Sequence, residues 1–431
     1  MRSELSRPLR RGRRGIARAG IVAALVVVLS GCGSTLKSGP TASATTYAAG
    51  SAGGGACPTT VLNVIGGVLQ RVYREGISSE RTVVARNLIA ASLPLRQAIE
   101  AGDESAARTA AEELVATGHL TNLRIVRNGS TLVDVGNAAL APESGTLTGA
   151  AGAPIATYLF SVWSDGGFIS EATGVAGGEI ALRREDRSLP GSFALPPGAL
   201  PSAGALTAGG VSYQFTSFPA EAYPSGALRI YVLKPLGSST ALCGATSEQT
   251  TVNTLRQVAE LIYAGEAGSR TLPQVRRVQS NQPLLEAVAQ HDPAATEAAV
   301  KALLHEHIVR LRVSVGEQLL ADVGGPYVLA PVQAPLRLDG HTIGSFVLSI
   351  QDDEGYLRLT HRLAGLDVLM TMNVNGRPQL VKNSLGPAPG TVPDNGSYTY
   401  RGHRYSVFTL HATAFPSGPL KIQVLVPIPY L

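Results

Sequence analysis

Four side chains able to hold an anion lie within seven residues of the second half of the sequence. Tyr356, Arg358, His361 and Arg362 share one segment with helical spacing, and Arg312 lies on an earlier predicted strand. Guanidinium groups and a phenol bind carboxylates through charge-assisted hydrogen bonds. The segment therefore predicts a site for a small molecule, an anion first of all. The alternative is that Arg358 and Arg362 belong to a solvated helix face.

The sequence contains an internal repeat, and the segment 356–362 lies in its second copy. Residues 123–136 match 311–324 at an offset of 188, and residues 222–230 match 414–422 at an offset of 192. One register held over so many positions indicates two copies of one unit. The first copy lacks most of the anion-binding chemistry, because it has Phe168, Ser170, Thr173 and Gly174 at the equivalent positions.

The N-terminal 31 residues are typical of an export signal. Seven arginines precede an apolar run at residues 21–29, and Leu-Ser-Gly-Cys follows, ending at Cys32. A basic start, a short apolar stretch and small residues before a cleavage point form a secretory signal. The Leu-Ser-Gly-Cys sequence resembles the lipobox of bacterial lipoproteins, which implies cleavage before Cys32 and a lipid on its thiol. The alternative is an uncleaved membrane anchor.

The charge balance depends on that signal. Its removal takes away seven arginines and one glutamate, which leaves 29 basic and 30 acidic residues and a formal net charge of −1. A nucleic-acid surface needs a retained basic patch. The sequence therefore predicts no nucleic-acid partner, and membrane contact only through the lipid anchor, on the extracytoplasmic face.

Two cysteines remain once Cys32 carries a lipid. Cys57 and Cys243 would lie in a compartment where disulfides persist, so a bridge between them is one of two open alternatives. The bridge would close a long loop, which would stabilise the folded state by roughly 5 kcal/mol on the chain-entropy model.

The predicted domain organisation follows from the repeat. We expect a signal peptide at 1–31, a flexible Gly-, Ser-, Thr- and Ala-rich tether at 32–56, and the two copies at 57–235 and 243–431. In each copy helices come first and strands later, which is typical of an α+β fold. We expect helices at 61–73 and 252–263, and a further helix in each copy with Asp103 or Asp292 as its N-cap. A roughly five-stranded antiparallel sheet follows, with runs such as 311–315 and 368–374 in the second copy.

The second copy resembles the extracytoplasmic Cache domains, which are PAS-like sensor modules. The resemblance rests on residues 280–285, 340–344 and 349–357, the last running on to 365–368. The first copy looks like a diverged relative. The resemblance implies a ligand pocket close to the segment with Tyr356, and it places both ends of a copy toward the membrane, near which Cys57 and Cys243 would meet.

Other chemistry is less well supported by the sequence. His305 and His307 would need a further ligand to bind zinc, and the acidic residues 352–354 suit a helix N-terminus better than a metal site. Motifs of hydrolases, metalloproteases and phosphate-binding loops are missing from the sequence. We expect no enzyme, no cofactor and no metal site.

The expected function is that of a lipid-anchored extracytoplasmic small-molecule-binding or sensory protein. Many proteins with Cache domains continue into a membrane helix and an output module, whereas this sequence ends after its last predicted strand, so we expect a membrane signalling or transport partner. The alternative is a structural or protein-interaction lipoprotein without a ligand pocket. A polar cavity around Tyr356 would distinguish the two.

Overall fold

The computed structural model describes residues 56–430, apart from Asp186, Ser269, His305 and Glu306. The predicted signal peptide, the lipidation site Cys32 and the tether up to residue 55 lie outside the described residues. Within the described ranges, no helix has the length and the apolar character needed to cross a membrane.

The first copy begins with helices and continues into strands, as the pattern predicts. Its helices are α1 Ala56–Ser78, α2 Glu80–Ala91, α3 Leu93–Ala101, α4 Glu104–Ala116, α5 Asp165–Ala176 and α6 Leu236–Thr240. Its strands are β1 Asn122–Arg127, β2 Ser130–Gly136, β3 Ala139–Leu140, β4 Glu143–Thr148, β5 Pro154–Ser161, β6 Trp163–Ser164, β7 Glu179–Arg184, β8 Arg187–Ser188, β9 Ala203–Ala208, β10 Val211–Tyr223 and β11 Gly226–Pro235.

The second copy repeats this order. Its helices are α7 Ser247–Ala267, α8 Leu272–Gln279, α9 Gln282–Ala289, α10 Pro293–Leu303 and α11 Asp353–Ala364. Its strands are β12 Arg310–Val315, β13 Gln318–Gly324, β14 Val328–Leu329, β15 Val332–Leu338, β16 His341–Ser349, β17 Gln351–Asp352, β18 Asp367–Val374, β19 Arg377–Asn383, β20 Gly396–Tyr400, β21 His403–Phe415 and β22 Gly418–Ile428.

Over the described residues, each copy contains two antiparallel sheets. The smaller has four strands, in the order β2-β1-β5-β4 in the first copy and β13-β12-β16-β15 in the second. The larger has seven, in the order β6-β3-β10-β11-β7-β8 with β9 on β10, and β17-β14-β21-β22-β18-β19 with β20 on β21. The predicted α+β class is confirmed, and each copy has two sheets where one of about five strands was expected.

The long helices α1 and α7 are amphipathic and lie side by side. In α1 the buried residues Val61, Ile65, Val68 and Val72 recur every three or four positions, which gives the helix one continuous apolar face. Buried residues of α1, α5, α7, α11 and both larger sheets form one hydrophobic core. The two copies are therefore held together by the same hydrophobic effect that folds each of them.

Equivalent tyrosines fasten each long helix to its own larger sheet. The Tyr73 hydroxyl accepts a hydrogen bond from the Glu221 amide at 2.8 Å, and the Tyr263 hydroxyl donates to the Thr413 carbonyl at 2.9 Å. These residues are related by the repeat. In addition, α1 contacts α11 of the other copy and α7 contacts α5 of the other copy, so the two copies form a pseudo-twofold pair within one chain.

The predicted helix caps are largely confirmed. The side chains of Asp103 and Asp292 accept hydrogen bonds from the first turns of α4 and α10. At the start of α11 the acidic run also caps the helix, but the cap is Asp352, which accepts from the Gly355 amide at 2.6 Å. Asp353 is the first helical residue.

Candidate functional site

The structure separates the five predicted ligand-binding residues. Tyr356, Arg358, His361 and Arg362 lie on α11, which packs beside the larger sheet of the second copy. Arg312 lies on β12 in the smaller sheet, where it pairs with Asp322 at 2.6 Å and its guanidinium stacks over Phe415. Arg312 therefore stabilises the smaller sheet, and the expectation that it shares a site with α11 is not supported.

Tyr356 belongs to the core. Its side chain is fully buried, and its ring meets that of Tyr263 edge to face at 5.8 Å between centroids. Its hydroxyl makes no hydrogen bond of good geometry among the described residues. Burial raises the pKa of the phenol above its ordinary value, and the nearby Thr360 hydroxyl partly opposes that rise. The repeat-related Phe168 makes the same contact with Tyr73, at 6.3 Å. Tyr356 thus has a packing role that needs no hydroxyl.

Removing the Tyr356 hydroxyl is expected not to lower the free energy of unfolding. Tyr356→Phe should leave the free energy of unfolding unchanged or raise it by up to about 1 kcal/mol, because an unsatisfied buried polar group is removed. Tyr263→Phe is the matched control and should lose about 1–2 kcal/mol, since the Ala330 amide donates to its hydroxyl at 3.1 Å. Urea unfolding of both variants checks this, and a loss at Tyr356 as large as that at Tyr263 would contradict it.

The three basic residues of α11 have different surroundings. Arg358 is exposed, as in the solvated-face alternative. The Nδ1 atom of His361 lies 3.9 Å from an Asp367 oxygen, with most of the ring exposed. Arg362 forms an ion pair with Glu75 of α1, so it reaches across to the first copy.

Arg362 lines a cavity between the two copies, called here the inter-repeat cleft. Its volume is about 400 Å³. It is lined by Glu75, Trp163, Glu171, Glu266, Arg270, Gln274, His307, Ile350, Gln351, Leu359, Arg362 and Leu363.

The lining of the cleft includes residues that the repeat relates to each other. Trp163 of β6 and Gln351 of β17 are equivalent at the offset of 188, and both line it. The second such pair is Glu171 of α5 and Leu359 of α11. Any molecule in the cleft would therefore contact both copies at once.

A network of ion pairs forms one wall of the cleft. Arg270 contacts the carboxylates of both Glu266 on its own copy and Glu171 on the other. The Glu266 side chain is only 2% exposed, and burial raises its pKa although Arg270 opposes that rise. Burial lowers the pKa of Arg270, but the two glutamates outweigh it and the net shift is upward. These charged side chains therefore lie where water is largely excluded.

A second cavity adjoins the cleft on one side only. It measures about 340 Å³, and Glu171 and Arg270 line both cavities. Gly174 and Gly265 border it, whereas the repeat-related positions carry Arg362 and Glu75, whose ion pair occupies the corresponding place. The two copies have thus diverged. The cavity is open beside Gly174 and Gly265, whereas the ion pair of Arg362 and Glu75 fills the corresponding place.

The chemistry available in the cleft is binding by charge and stacking. Three carboxylates lie in its wall, Arg362 is 46% exposed, and the indole of Trp163 offers an aromatic face. Among the described residues no group of three or more His, Cys, Asp or Glu is placed to hold a metal ion.

Sequence reasoning found Arg362 and missed Glu75, Glu171, Glu266 and Arg270. One signal was present for Glu266. The buried face of α7 continues through Leu255, Ala259 and Ile262 at helical spacing, and Glu266 occupies the next position of that apolar series. A carboxylate at a core position is rarely tolerated without a partner, so this break in the pattern indicates a buried charge.

Comparison with known proteins gives few similarities. No protein-family model matches the chain, and no curated protein sequence matches it. The periplasmic domain of LuxQ from Vibrio cholerae is 10% identical, with a TM-score of 0.27 over 42% of this chain and 98% of that one. An extracellular ligand-binding receptor from Desulfohalobium retbaense is 11% identical, with a TM-score of 0.23 over 52% and 47%. Scores of this size carry no argument about function.

Proposed function

We propose that this chain is an extracytoplasmic protein, anchored through a lipid on Cys32, that binds a small polar molecule in the inter-repeat cleft. The observation that carries the proposal is the cleft itself. Its volume of about 400 Å³ falls in the range of about 300–1,000 Å³ typical of small-molecule sites, and charged side chains converge on it.

The proposed location rests on two features. The N-terminal segment has the composition of an export signal and ends in a sequence resembling a lipobox. The folded part contains a disulfide between Cys57 and Cys243, with their Cα atoms 5.7 Å apart. Disulfides persist in oxidising compartments outside the cytoplasm. Both features agree with an extracytoplasmic protein.

The charges favour a ligand with two kinds of polar group. The carboxylates of Glu171 and Glu266 are largely buried, whereas the guanidinium of Arg362 is about half exposed. A cationic or donor-rich group would suit the inner wall, and an acceptor or anionic group would suit Arg362. The anionic group expected from the sequence would then be one end of a ligand that also carries a cationic or donor-rich group.

A ligand in the inter-repeat cleft offers a simple route for a signal. It would contact α5 of the first copy and α11 of the second together, and so favour one relative position of the two copies over others. We propose that a membrane signalling or transport partner reads this change.

A second candidate function is a structural or protein-interaction lipoprotein. The ion pairs of Arg270 with Glu171 and of Arg362 with Glu75 each join one copy to the other, and they already neutralise most of the charge in the cleft. In this alternative the charged side chains serve only to hold the two copies together.

The single tryptophan of the sequence, Trp163, lines the cleft and supplies an internal probe. We expect at least one compound from a panel of carboxylates, amines, amino acids and sugars to change its fluorescence saturably and to raise the midpoint of thermal unfolding of the full chain in detergent. Arg362→Gln should weaken that compound about tenfold or more, because a charge-assisted hydrogen bond is lost.

Arg358→Gln is the matched control, since Arg358 is on the same helix but does not line the cleft. It should change the affinity less than twofold. Equal weakening in both variants would argue against the cleft. If no compound alters either signal, the interaction-protein alternative is favoured.

A further inference from the structure

The cavity of about 340 Å³ that adjoins the inter-repeat cleft is called here the side cavity. It lies between α5 of the first copy and α7 of the second. Glu171 and Arg270 line both cavities and form an ion pair with each other. The rest of its described lining is uncharged and consists of Ser170, Gly174, Val175, Leu261, Ala264 and Gly265. A group that enters the side cavity beyond the ion pair therefore meets small and apolar residues.

The corresponding helices on the other side are α11 and α1, and long charged residues stand there instead. The repeat relates α5 to α11 at an offset of 188 and α1 to α7 at an offset of 190. The positions equivalent to Ser170, Gly174, Leu261, Ala264 and Gly265 carry Arg358, Arg362, Arg71, Arg74 and Glu75. The difference between the two sides thus extends over five positions of the lining.

The two pairs of helices nevertheless meet in a similar way. A Cβ atom on Gly177, which follows α5, would come within 2.9 Å of the Leu261 side chain. One on Gly365, which follows α11, would come within 3.0 Å of the Arg71 guanidinium. The repeat relates the two glycines to each other, and Leu261 to Arg71. The side cavity is therefore open because its side chains are short, and not because its helices lie farther apart.

Two glycines account for much of this open space. A Cβ atom on Gly174 would meet nothing within 4 Å, and one on Gly265 would meet only the Arg270 guanidinium beyond its own helix, at 3.8 Å. Both residues lie within helices, although glycine is the poorest helix former after proline. Neither packing nor a left-handed backbone requires glycine at these positions. Their effect on the structure is to leave the side cavity unfilled.

We propose that the side cavity receives an uncharged, mainly apolar branch of the ligand whose polar groups bind in the inter-repeat cleft. Gly174 and Gly265 determine how long this branch can be. Val175, Leu261 and Ala264 supply the apolar surface that the branch covers. The proposal rests on the proposed function, and it adds to that function a selection of ligands by the size of one substituent.

The test compares five unbranched α-amino acids, namely free glycine, alanine, 2-aminobutyrate, norvaline and norleucine. They share the ammonium and carboxylate groups that suit the cleft, and they differ only in the length of an apolar side chain. Trp163 fluorescence and the thermal unfolding midpoint of the full chain in detergent report binding. We expect the affinity to rise about fourfold with each added methylene until the side cavity is full.

Gly265→Leu fills the side cavity without adding a charge. It should leave the affinity for free glycine within twofold of the unaltered chain, and it should weaken norleucine about tenfold or more, because the space for the longer side chain is lost. Gly67→Leu is the matched control. Gly67 lies within α1, its Cβ atom would also meet nothing within 4 Å, and it is not among the described lining residues of either cavity. This variant should keep the full dependence on side-chain length.

A second variant copies the closed side. Gly174→Arg combined with Gly265→Glu supplies the residue types that form the ion pair of Arg362 and Glu75, and it should also remove the dependence on length. Without any ligand, the unfolding midpoint should rise in both filled variants because helical glycines are replaced. A loss of norleucine binding in these variants is then not a loss of folding.

The outcomes separate the side cavity from the cleft. If all five probes bind equally and Arg362→Gln weakens them, the size selection is overturned while the cleft remains the binding site. A dependence on length that persists in Gly265→Leu would place the branch elsewhere and would overturn the proposal as well. If none of the five binds, the proposal is overturned, whereas the proposed function is still decided by the wider panel of carboxylates, amines and sugars.

Discussion

Breaking the disulfide between Cys57 and Cys243 is expected to lower the free energy of unfolding by about 5 kcal/mol. The bridge joins residues 186 apart in the sequence, and a cross-link over so long a loop restricts the unfolded chain strongly. The bridge also ties the first turn of α1 to the segment just before α7, and the Thr250 hydroxyl of α7 lies 3.6 Å from the Cys57 sulfur. Its loss should therefore loosen the contact between the two copies.

Urea unfolding of the full chain with and without dithiothreitol measures this effect. The variant with both cysteines changed to alanine should unfold at the lower urea midpoint of the reduced protein, and dithiothreitol should not shift it further. A reduced protein as stable as the oxidised one would show that the core shared by α1 and α7 holds the copies together without the bridge.

Much of the fold could be predicted from the sequence because its signals are local. Apolar spacing indicates α1 and α7, although both extend beyond the predicted limits of 61–73 and 252–263. Strands with a buried face, such as β12 and β18, coincide closely with the expected runs. The repeat itself follows from sequence matches alone, whereas the packing of the two copies against each other through α1 and α7 is seen only in the structure.

The division of each copy into two sheets could not be predicted in the same way. The strand β19 is exposed along most of its length and shows no clear apolar alternation, whereas β15 does alternate, with Val332, Ala334, Leu336 and Leu338 on its buried face. Strand partners are also chosen by contacts distant in sequence: β12 pairs with β16, and β14 with β21. A count of strands therefore does not determine how many sheets they form.

The inter-repeat cleft escaped sequence reasoning for a related reason. Its charged residues come from α1, α5, α7, α11 and the loop holding Arg270, which lie in both copies. Only the segment 356–362 places several candidates together, and of these Arg362 alone lines the cleft while Tyr356 packs in the core. A site assembled across a repeat interface leaves no compact motif in either copy.

The second prediction with a large effect concerns Arg270. Its replacement by alanine is expected to lower the free energy of unfolding by about 3 kcal/mol at neutral pH, since the carboxyl group of Glu266, 2% exposed, would be left buried without its partner. The matched control is Arg404→Ala, which breaks an ion pair with Glu248 in which both side chains are about half exposed. That change should cost at most about 1 kcal/mol.

The pH dependence distinguishes a buried charge from lost packing. Burial already raises the pKa of Glu266 in the folded protein, and without Arg270 the main opposing influence is gone, so the pKa rises further. A carboxyl group with a raised folded pKa binds a proton more tightly in the folded state than in the unfolded one. Its penalty is therefore complete above the folded pKa and disappears as the pH falls toward the unfolded value.

The loss caused by Arg270→Ala should accordingly shrink between neutral and acidic pH, measured as the difference in urea unfolding from the unaltered chain. Adding Glu266→Gln to Arg270→Ala should recover most of the stability at neutral pH, because a neutral amide is far less costly to bury than an unpaired carboxylate. If the loss is the same at every pH, or if the double variant is no more stable than the single one, Arg270 acts by packing. The cleft would then lack the buried charge on which its proposed ligand preference depends.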